Sequence, residues 1–377
     1  MRPNPSRLIL GILNSRYRIS KTHVKYSTTI IFRGDPTMTT MKRAAITGAK
    51  TTILLDTPIP RPKEDWVLVK ILAVPLCTEY KNWLNGSEYH GHEAAGEVVE
   101  ISRPGKVKVG DRVVVMPGSP CGKCALCISG EYIHCQNNHN PAEVSGLQHG
   151  GDTHVQYLIK QDWLLVPIPE GISYERASLA CCGLGPTFGA MENFGVASTD
   201  TIMITGGGPV GLGGVINAKF RGARTILVEQ LAYRQQKAKE LGADLVLDPT
   251  DPAIKSKILQ YTGELGVDAC LETSGTLEAQ RLCIDVTKRR GQIALIGECG
   301  KDLAINASSD FIRKGITLSG QWHYNLNYIF KIMRVISNSP IAEKLITHVF
   351  PMTKFQEAME ISASHNCAKI ILKPWES

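Results

Sequence analysis

The chain has no hydrophobic run long enough to span a bilayer. The apolar stretch LILGIL at 8–13 is too short for a membrane helix or for the core of a secretory signal, and Arg16 and Arg18 follow it closely. No internal repeat and no low-complexity tract interrupts the 377 residues, which sets aside repeat arrays and disordered linkers. Acid is nearly missing from residues 1–40: Arg2, Arg7, Arg16, Arg18, Lys21, Lys25 and Arg33 face only Asp35, a local charge of +6. Because the whole chain carries +7, about +1 is left for the other 337 residues, and the body has no basic surplus that would attract nucleic acid. Two readings fit this leader. Its arginines, serines and threonines without acid match a mitochondrial transit peptide; alternatively, translation starts at Met38 or Met41 and the stretch is an extension. Neither adds a folded domain. The expected compartment is the cytoplasm or the mitochondrial matrix.

The remainder is globular in composition, 43% hydrophobic and 20% charged, at a length that suggests two or three domains. Eleven cysteines are unevenly spread. A chain this long needs no disulfide staples, and in a reducing compartment clustered cysteines are metal ligands more often than disulfides. From Met41 to about residue 195, short Val-rich runs such as VLVKILAV and GEVVEISRPGKVKVGDRVVVMP are broken by Gly and Pro and predict a mainly β unit. Residues 136–160 read as polar loop. From 196 to about 335 the pattern becomes alternating: TIMIT, TILVE, DLVL, VDACLET and QIALI are short strands, with helical stretches AYRQQKAKELGA and TLEAQRLCIDVTK between them. That alternation predicts a doubly wound parallel sheet. A last strand, KIIL at 369–372, closes the segment 336–377.

The first strand of the alternating half runs into GGGPVG, where Gly206, Gly208 and Gly211 satisfy G-x-G-x-x-G and Pro209 and Val210 open a helix. Glycines let the backbone approach a pyrophosphate, which the helix N-terminus then binds. TILVE ends in Glu229, eighteen residues beyond Gly211. An acid there accepts hydrogen bonds from ribose hydroxyls and repels a 2′-phosphate, so NAD is favoured over NADP. Arg234 either flanks the ribose or is a solvated helix residue.

The stretch CGKCALCISGEYIHC at 121–135 places Cys121, Cys124, Cys127 and Cys135 in the pattern C-x2-C-x2-C-x7-C. Four thiolates fill a tetrahedral zinc and leave no vacant position, so this loop is a structural staple and the chemistry lies elsewhere. Two disulfides or an iron–sulfur cluster are the alternatives. A second donor set is dispersed: Cys77, His92 within GHEAAGE, and Cys181 and Cys182 within ACCGLG. Each alone reads as a buried thiol or a loop histidine. Together they offer two thiolates and an imidazole with a fourth position open, the pattern of a catalytic zinc.

GHEAAGEVVE, KVGDRVVVMP, CGKCALC-x7-C and GGGPVG-x17-E, in this order, resemble the zinc-dependent medium-chain dehydrogenase/reductase family of alcohol and polyol dehydrogenases over about residues 41–374. The resemblance implies a GroES-like catalytic domain at 41–195, a Rossmann NAD-binding domain inserted at 196–335, and a return to the catalytic domain at 336–377. It implies a catalytic zinc on Cys77, His92 and Cys182, with Glu93 as a nearby carboxylate, Cys181 packed in the core, and His90 not a ligand. It implies a structural zinc on Cys121, Cys124, Cys127 and Cys135. The implied reaction is hydride transfer between a small alcohol or carbonyl substrate and NAD, and the implied assembly is a homodimer or homotetramer without a membrane partner. One departure stands out. The family usually reads C-x-S/T after the first ligand, whereas Cys77-Thr78-Glu79 has its hydroxyl one place early and a carboxylate where the hydroxyl is expected. Thr78 or Glu79 is therefore the expected proton relay, or both are ordinary loop residues. Residues 82–90 and 136–152 are expected to shape the cleft, and Trp322, His323 and Tyr324 either line it or sit in core or interface. An NADH-dependent carbonyl reductase uses the same site. A catalytically idle NAD- and zinc-binding relative is the remaining alternative.

Overall fold

A computed structural model describes residues 38–88 and 91–376; all but the last three residues of the leader, together with Tyr89 and His90, lie outside the described residues. The chain opens with an antiparallel hairpin of β1 (Thr40–Gly48) and β2 (Thr51–Pro58). An antiparallel group follows: β3 (Trp66–Pro75), β4 (Ala94–Ile101), β5 (Arg112–Val115), β6 (Tyr157–Gln161) and β7 (Leu165–Pro167). Six strands then form a wholly parallel sheet: β8 (Thr201–Thr205), β9 (Arg224–Val228), β10 (Leu245–Leu247), β11 (Val267–Glu272), β12 (Thr287–Leu295) and β13 (Thr317–Gly320). Their order, β10-β9-β8-β11-β12-β13, is that of a doubly wound dinucleotide fold, whose chain reverses direction between β8 and β11. Finally β14 (Ile346–Pro351) and β15 (Lys369–Lys373) return to the first sheet, which reads β14-β15-β3-β4-β5-β7 with β6 also paired to β3. The mainly β unit and the inserted parallel sheet expected from the sequence are both present.

The sequence explains the layering. Every residue of TIMIT in β8 is buried, because helices cover both faces of a parallel sheet and its strands carry no solvent-facing positions. The helix Pro209–Arg221 packs on β8 and β9, and the helix Leu277–Val286 on β11 and β12. That second helix stops short of the expected end. Thr287 and Lys288 already belong to β12, and the Thr287 hydroxyl donates to the Cys283 carbonyl at 2.6 Å, closing the last turn. The stretch expected to be loop at 136–160 ends in β6, and it also contains a short helix, Pro141–Ser145, started by the Asn140 side chain accepting from the Ala142 amide at 3.0 Å and by Pro141 at its first position. One continuous apolar core joins the two units. Ala73, Ala95 and Val114 of the first sheet share it with Ile202 and Ile204 of the second and with Leu212 of the helix Pro209–Arg221, bridged by the helix Gly185–Phe194. The helix Ile329–Asn338 runs across the sequence-expected limit at 335. Among the described residues no helix is long and apolar enough to cross a membrane.

Candidate active site and metal centres

β3 ends at Pro75, and its edge is held by β15, where Ile371 lies opposite Pro75 and the Leu76 amide donates to the Ile370 carbonyl at 2.9 Å. Cys77 emerges from this junction. His92 and Glu93 stand immediately before β4, and Cys182 lies in the turn that leads into the helix Gly185–Phe194. Strand pairing of β4 and β15 with β3 thus brings distant segments to one point. One donor atom each from Cys77, His92, Glu93 and Cys182 lie within 4.8 Å of one another. His92 Nε2 is 3.2 Å from Cys182 Sγ, against about 3.6 Å for a nitrogen and a sulfur sharing a tetrahedral zinc. The donor chemistry and the spacing fit a single zinc ion. Cys181, by contrast, is fully buried and points its sulfur at the Val115 carbonyl, 3.6 Å away.

Glu93 is tied elsewhere. Its Oε1 accepts from Lys369 Nζ at 2.6 Å and its Oε2 from the Cys182 amide at 3.1 Å, with both side chains wholly buried. Burial would push the Lys369 ammonium down, but the Glu93 carboxylate and the thiols of Cys77 and Cys182 hold it above the usual lysine range. Glu79 turns inward. Its Oε2 accepts from the Cys77 amide at 2.5 Å and its Oε1 lies 3.8 Å from His92 Nδ1. Burial raises that carboxyl to about 7, opposed by the charge of His92. Thr78, by contrast, is exposed and borders the cleft. Without metal, the hydrogen bond from Cys182 holds the Cys77 thiol well below its ordinary value against burial, and the same bond together with burial pushes Cys182 well above it. Burial alone would lower His92, but the neighbouring Cys77 sulfur lifts it to about 9.

The aromatic run splits. Trp322 is 58% exposed, Tyr324 is buried with its hydroxyl donating to the Ala180 carbonyl at 2.7 Å, and His323 enters the site. His323 Nε2 is 3.7 Å from Cys182 Sγ, its ring meets that of His92 edge-on at 6.3 Å, and its buried Nδ1 has no partner among the described residues. Burial, then the charge of His92, push its imidazolium down to about 3, so it is neutral at working pH.

In the four-cysteine loop, Cys121 and Cys127 sulfurs are 3.9 Å apart, Cys124 and Cys127 3.5 Å, and Cys124 and Cys135 3.9 Å. Two sulfurs on one tetrahedral zinc lie about 3.8 Å apart, whereas a disulfide is about 2.0 Å long. All eleven cysteines are free. The four sulfurs fit one ion rather than two disulfides, and they sit too close together for thiolates bound to separate irons of a cluster.

At the reversal point of the parallel sheet, Gly206 takes a φ of +87°, and a side chain on Gly211 would meet the Gly206 carbonyl at 1.8 Å. Gly208 instead faces open space ahead of the helix that begins at Pro209, which suits the approach of a pyrophosphate. Glu229, directly after β9, accepts from the Gly207 amide at 2.7 Å and from the amides of Gln230 and Leu231 at 2.7 and 2.9 Å. Arg234 packs over Gly207 and lies 3.4 Å from His365 Nδ1. These residues fit a dinucleotide. A cleft of about 820 Å³ joins the two halves. It is lined by Cys77, His92 and Cys182 on one side and by Val210, Thr273 and Gly297 on the other. Asn82, Asn140 and Gln148 from the two loops expected to shape it also border it.

Two family models match this chain. One describes the alcohol dehydrogenase GroES-like domain, over residues 63–170, and the other a zinc-binding dehydrogenase, over 209–338. Sorbitol dehydrogenase of Bacillus subtilis is 31% identical over 353 residues, covering 89% of this chain and 97% of the relative. L-threonine 3-dehydrogenase of Pyrococcus horikoshii is 29% identical over 336 residues, covering 84% and 94%. The crystal structure of 2R,3R-butanediol dehydrogenase from Bacillus subtilis superposes with a TM-score of 0.77 at 25% identity, covering 89% and 99%. The chain belongs to the zinc-dependent medium-chain dehydrogenases, as a GroES-like domain carrying an inserted Rossmann domain. It is an oxidoreductase that moves hydride between a CH–OH carbon and NAD, with zinc.

Sequence reasoning missed Lys369, which reads as the polar first residue of an apolar strand. It also left His323 undecided within an aromatic run. A lysine opening the otherwise apolar KIIL was the available signal.

Proposed function

We propose that Cys77, His92 and Cys182 hold the reactive zinc, that Cys121, Cys124, Cys127 and Cys135 hold a structural one, and that the substrate is a small polar alcohol or polyol. Bound there, zinc supplies Lewis acidity that lowers the pKa of the substrate hydroxyl, and NAD supplies the hydride acceptor. The chain's own residues do the rest. Cys77 and Cys182 contribute two negative sulfurs, and Glu79 orients His92 through Nδ1 so that Nε2 faces them. Lys369 neutralises Glu93 and holds its Oε1 beside the donor set, 3.9 Å from His92 Nε2. Thr78 Oγ1 accepts the substrate's hydroxyl proton while passing its own to water in the cleft, and Glu79, buried and absent from the cleft lining, is not the relay. Gly206, Gly208 and Gly211, with Pro209 and Val210 opening the helix, seat the pyrophosphate, and Glu229 and Arg234 flank the adenosine ribose. We place the domain limits near 195 and 335, expect a homodimer or homotetramer, and keep cytoplasm and mitochondrial matrix as the compartments.

The observation that carries this reading is the shared cleft, with the metal donors and the dinucleotide loop on opposing walls. The test is a panel of alcohols and polyols with NAD⁺, followed through NADH absorbance, together with metal analysis. About two zinc per chain and turnover are expected for the wild type. Cys77→Ala is expected to hold about one zinc, to bind NADH, and to be inactive. Full activity in that variant overturns the assignment.

A further inference from the structure

The cleft extends past the metal donors to the inner face of β6, where it is lined by Lys160. All five residues of β6 are buried, and Lys160 itself is only 6% exposed. Lysine is almost never fully buried unless paired. Here the ammonium donates to the Gly118 carbonyl, and among the described residues no carboxylate pairs with it. A buried cation held by one neutral carbonyl is poorly compensated. The cleft does not balance it from elsewhere. Among its described lining residues the lysines are Lys81 and Lys160, and the one carboxylate is Glu298, an exposed residue on the cofactor side.

We infer that Lys160 is a specificity-determining residue that receives an anionic group of the substrate, so that the preferred alcohols carry an oxyanion, a carboxylate or a phosphate monoester, away from the reacting CH–OH carbon. The inference rests on the dehydrogenase reading above and narrows its substrate class. Burial pushes the Lys160 ammonium down to about 7, so the cleft without substrate holds this proton weakly. An anion arriving at Nζ replaces the missing partner and fixes the charge. The oxyanion would stand beside the Gly118 carbonyl, and the ammonium can serve both, since it has three donors. Leu158, Ile159 and Tyr132 are buried residues that also line the cleft, and apolar walls of this kind strengthen an ion pair.

The test compares matched substrates on the zinc- and NAD-loaded enzyme: a series of hydroxycarboxylates of increasing chain length against their methyl esters, and sugar-alcohol phosphates against the parent sugar alcohols. The readout is the ratio of anionic to neutral kcat/KM in the wild type, Lys160→Met and Lys160→Arg. Dissociation constants of the same hydroxycarboxylates and phosphates for the NADH complex are measured by calorimetry. The wild type is expected to prefer at least one anionic series by about 10- to 100-fold, mostly through KM. In Lys160→Met that ratio collapses toward one, and Lys160→Arg restores part of it. The arm that responds distinguishes carboxylate from phosphate. No anionic preference in the wild type, or equal losses on both members of every pair in Lys160→Met, overturns the inference and leaves Lys160 as a brace for the Gly118 loop. Turnover of neutral alcohols without any Lys160-dependent anion binding sinks this inference and spares the dehydrogenase reading. Lys160-dependent anion binding without turnover of any compound does the reverse.

Discussion

Replacing Lys369 by methionine removes the cation that compensates Glu93 while keeping the side chain's length and apolar stem. Both members of the pair are wholly buried and 2.6 Å apart. At an effective dielectric of about 20, the attraction at this distance is about 6 kcal/mol, most of which offsets the cost of taking two charges out of water. Deleting only one partner leaves that cost uncompensated on the other, and such deletions destabilise by about 3–5 kcal/mol. The remaining support for Glu93 is the Cys182 amide at 3.1 Å and His92 Nε2 at 3.9 Å, neither of which replaces the ammonium held at hydrogen-bond distance. With an unfolding entropy of about 2.1 cal/mol/K per residue, that loss lowers the thermal midpoint by roughly 4–6 °C. Lys369 is held above its ordinary range, so the stabilisation it gives is present at neutral pH and is lost only as pH rises past the lysine range. The assay is calorimetric melting of zinc-replete protein near pH 7, with Glu93→Gln/Lys369→Met as the companion variant. The double variant buries two neutral groups and is expected to recover most of the difference. A Lys369→Met midpoint within about 1 °C of the wild type, or a double variant as unstable as the single one, would refute the reasoning.

Metal affinity is expected to rise with pH. Burial pushes the Cys127 thiol up to about 12, and the bond from Cys182 to Cys77, with burial, pushes Cys182 well above its ordinary value, so zinc must displace protons from both centres. Chelator competition at pH 6, 7 and 8 should show zinc held about tenfold more tightly per pH unit for each proton released; a flat profile contradicts the assignment. Glu229→Ala is expected to weaken NADH binding about tenfold and to narrow the preference over NADPH, measured by fluorescence titration, and an unchanged ratio would remove Glu229 from the ribose site. Thr78→Ala should lower kcat by about 10²-fold with zinc content intact, while Thr78→Ser retains most activity. Equal losses in the two variants would argue for a packing role.

The features most legible in the sequence are those in which neighbouring residues act together. C-x2-C-x2-C-x7-C announces a four-sulfur site because a fifteen-residue loop can bring its own cysteines to one point. GGGPVG followed by Glu229 announces a dinucleotide loop because strand, turn and helix are consecutive. The alternating runs of 196–335 gave the parallel sheet for the same reason. The shift of β12 to begin at Thr287 was not legible, since TLEAQRLCIDVTK keeps a helical pattern through its end and only pairing with β11 decides where the strand starts.

Other properties depend on residues that are far apart in the chain. Nothing local distinguishes Cys182 from Cys181; the packing of the turn before Gly185–Phe194 aims one sulfur at His92 and the other at the Val115 carbonyl. Lys369 looks like the solvated start of an edge strand until β15 pairs with β3 and buries it against Glu93. Lys160 looks like the polar end of a strand, followed by Gln161 and Asp162, until the cleft opens on it. The sequence by itself determined the donor chemistry, the cofactor loop and the two kinds of sheet, because these arise from residues in covalent proximity. Only the tertiary structure decided which sulfur faces the metal site, which buried charges compensate each other and which is left alone, because those outcomes depend on the order in which strands pair.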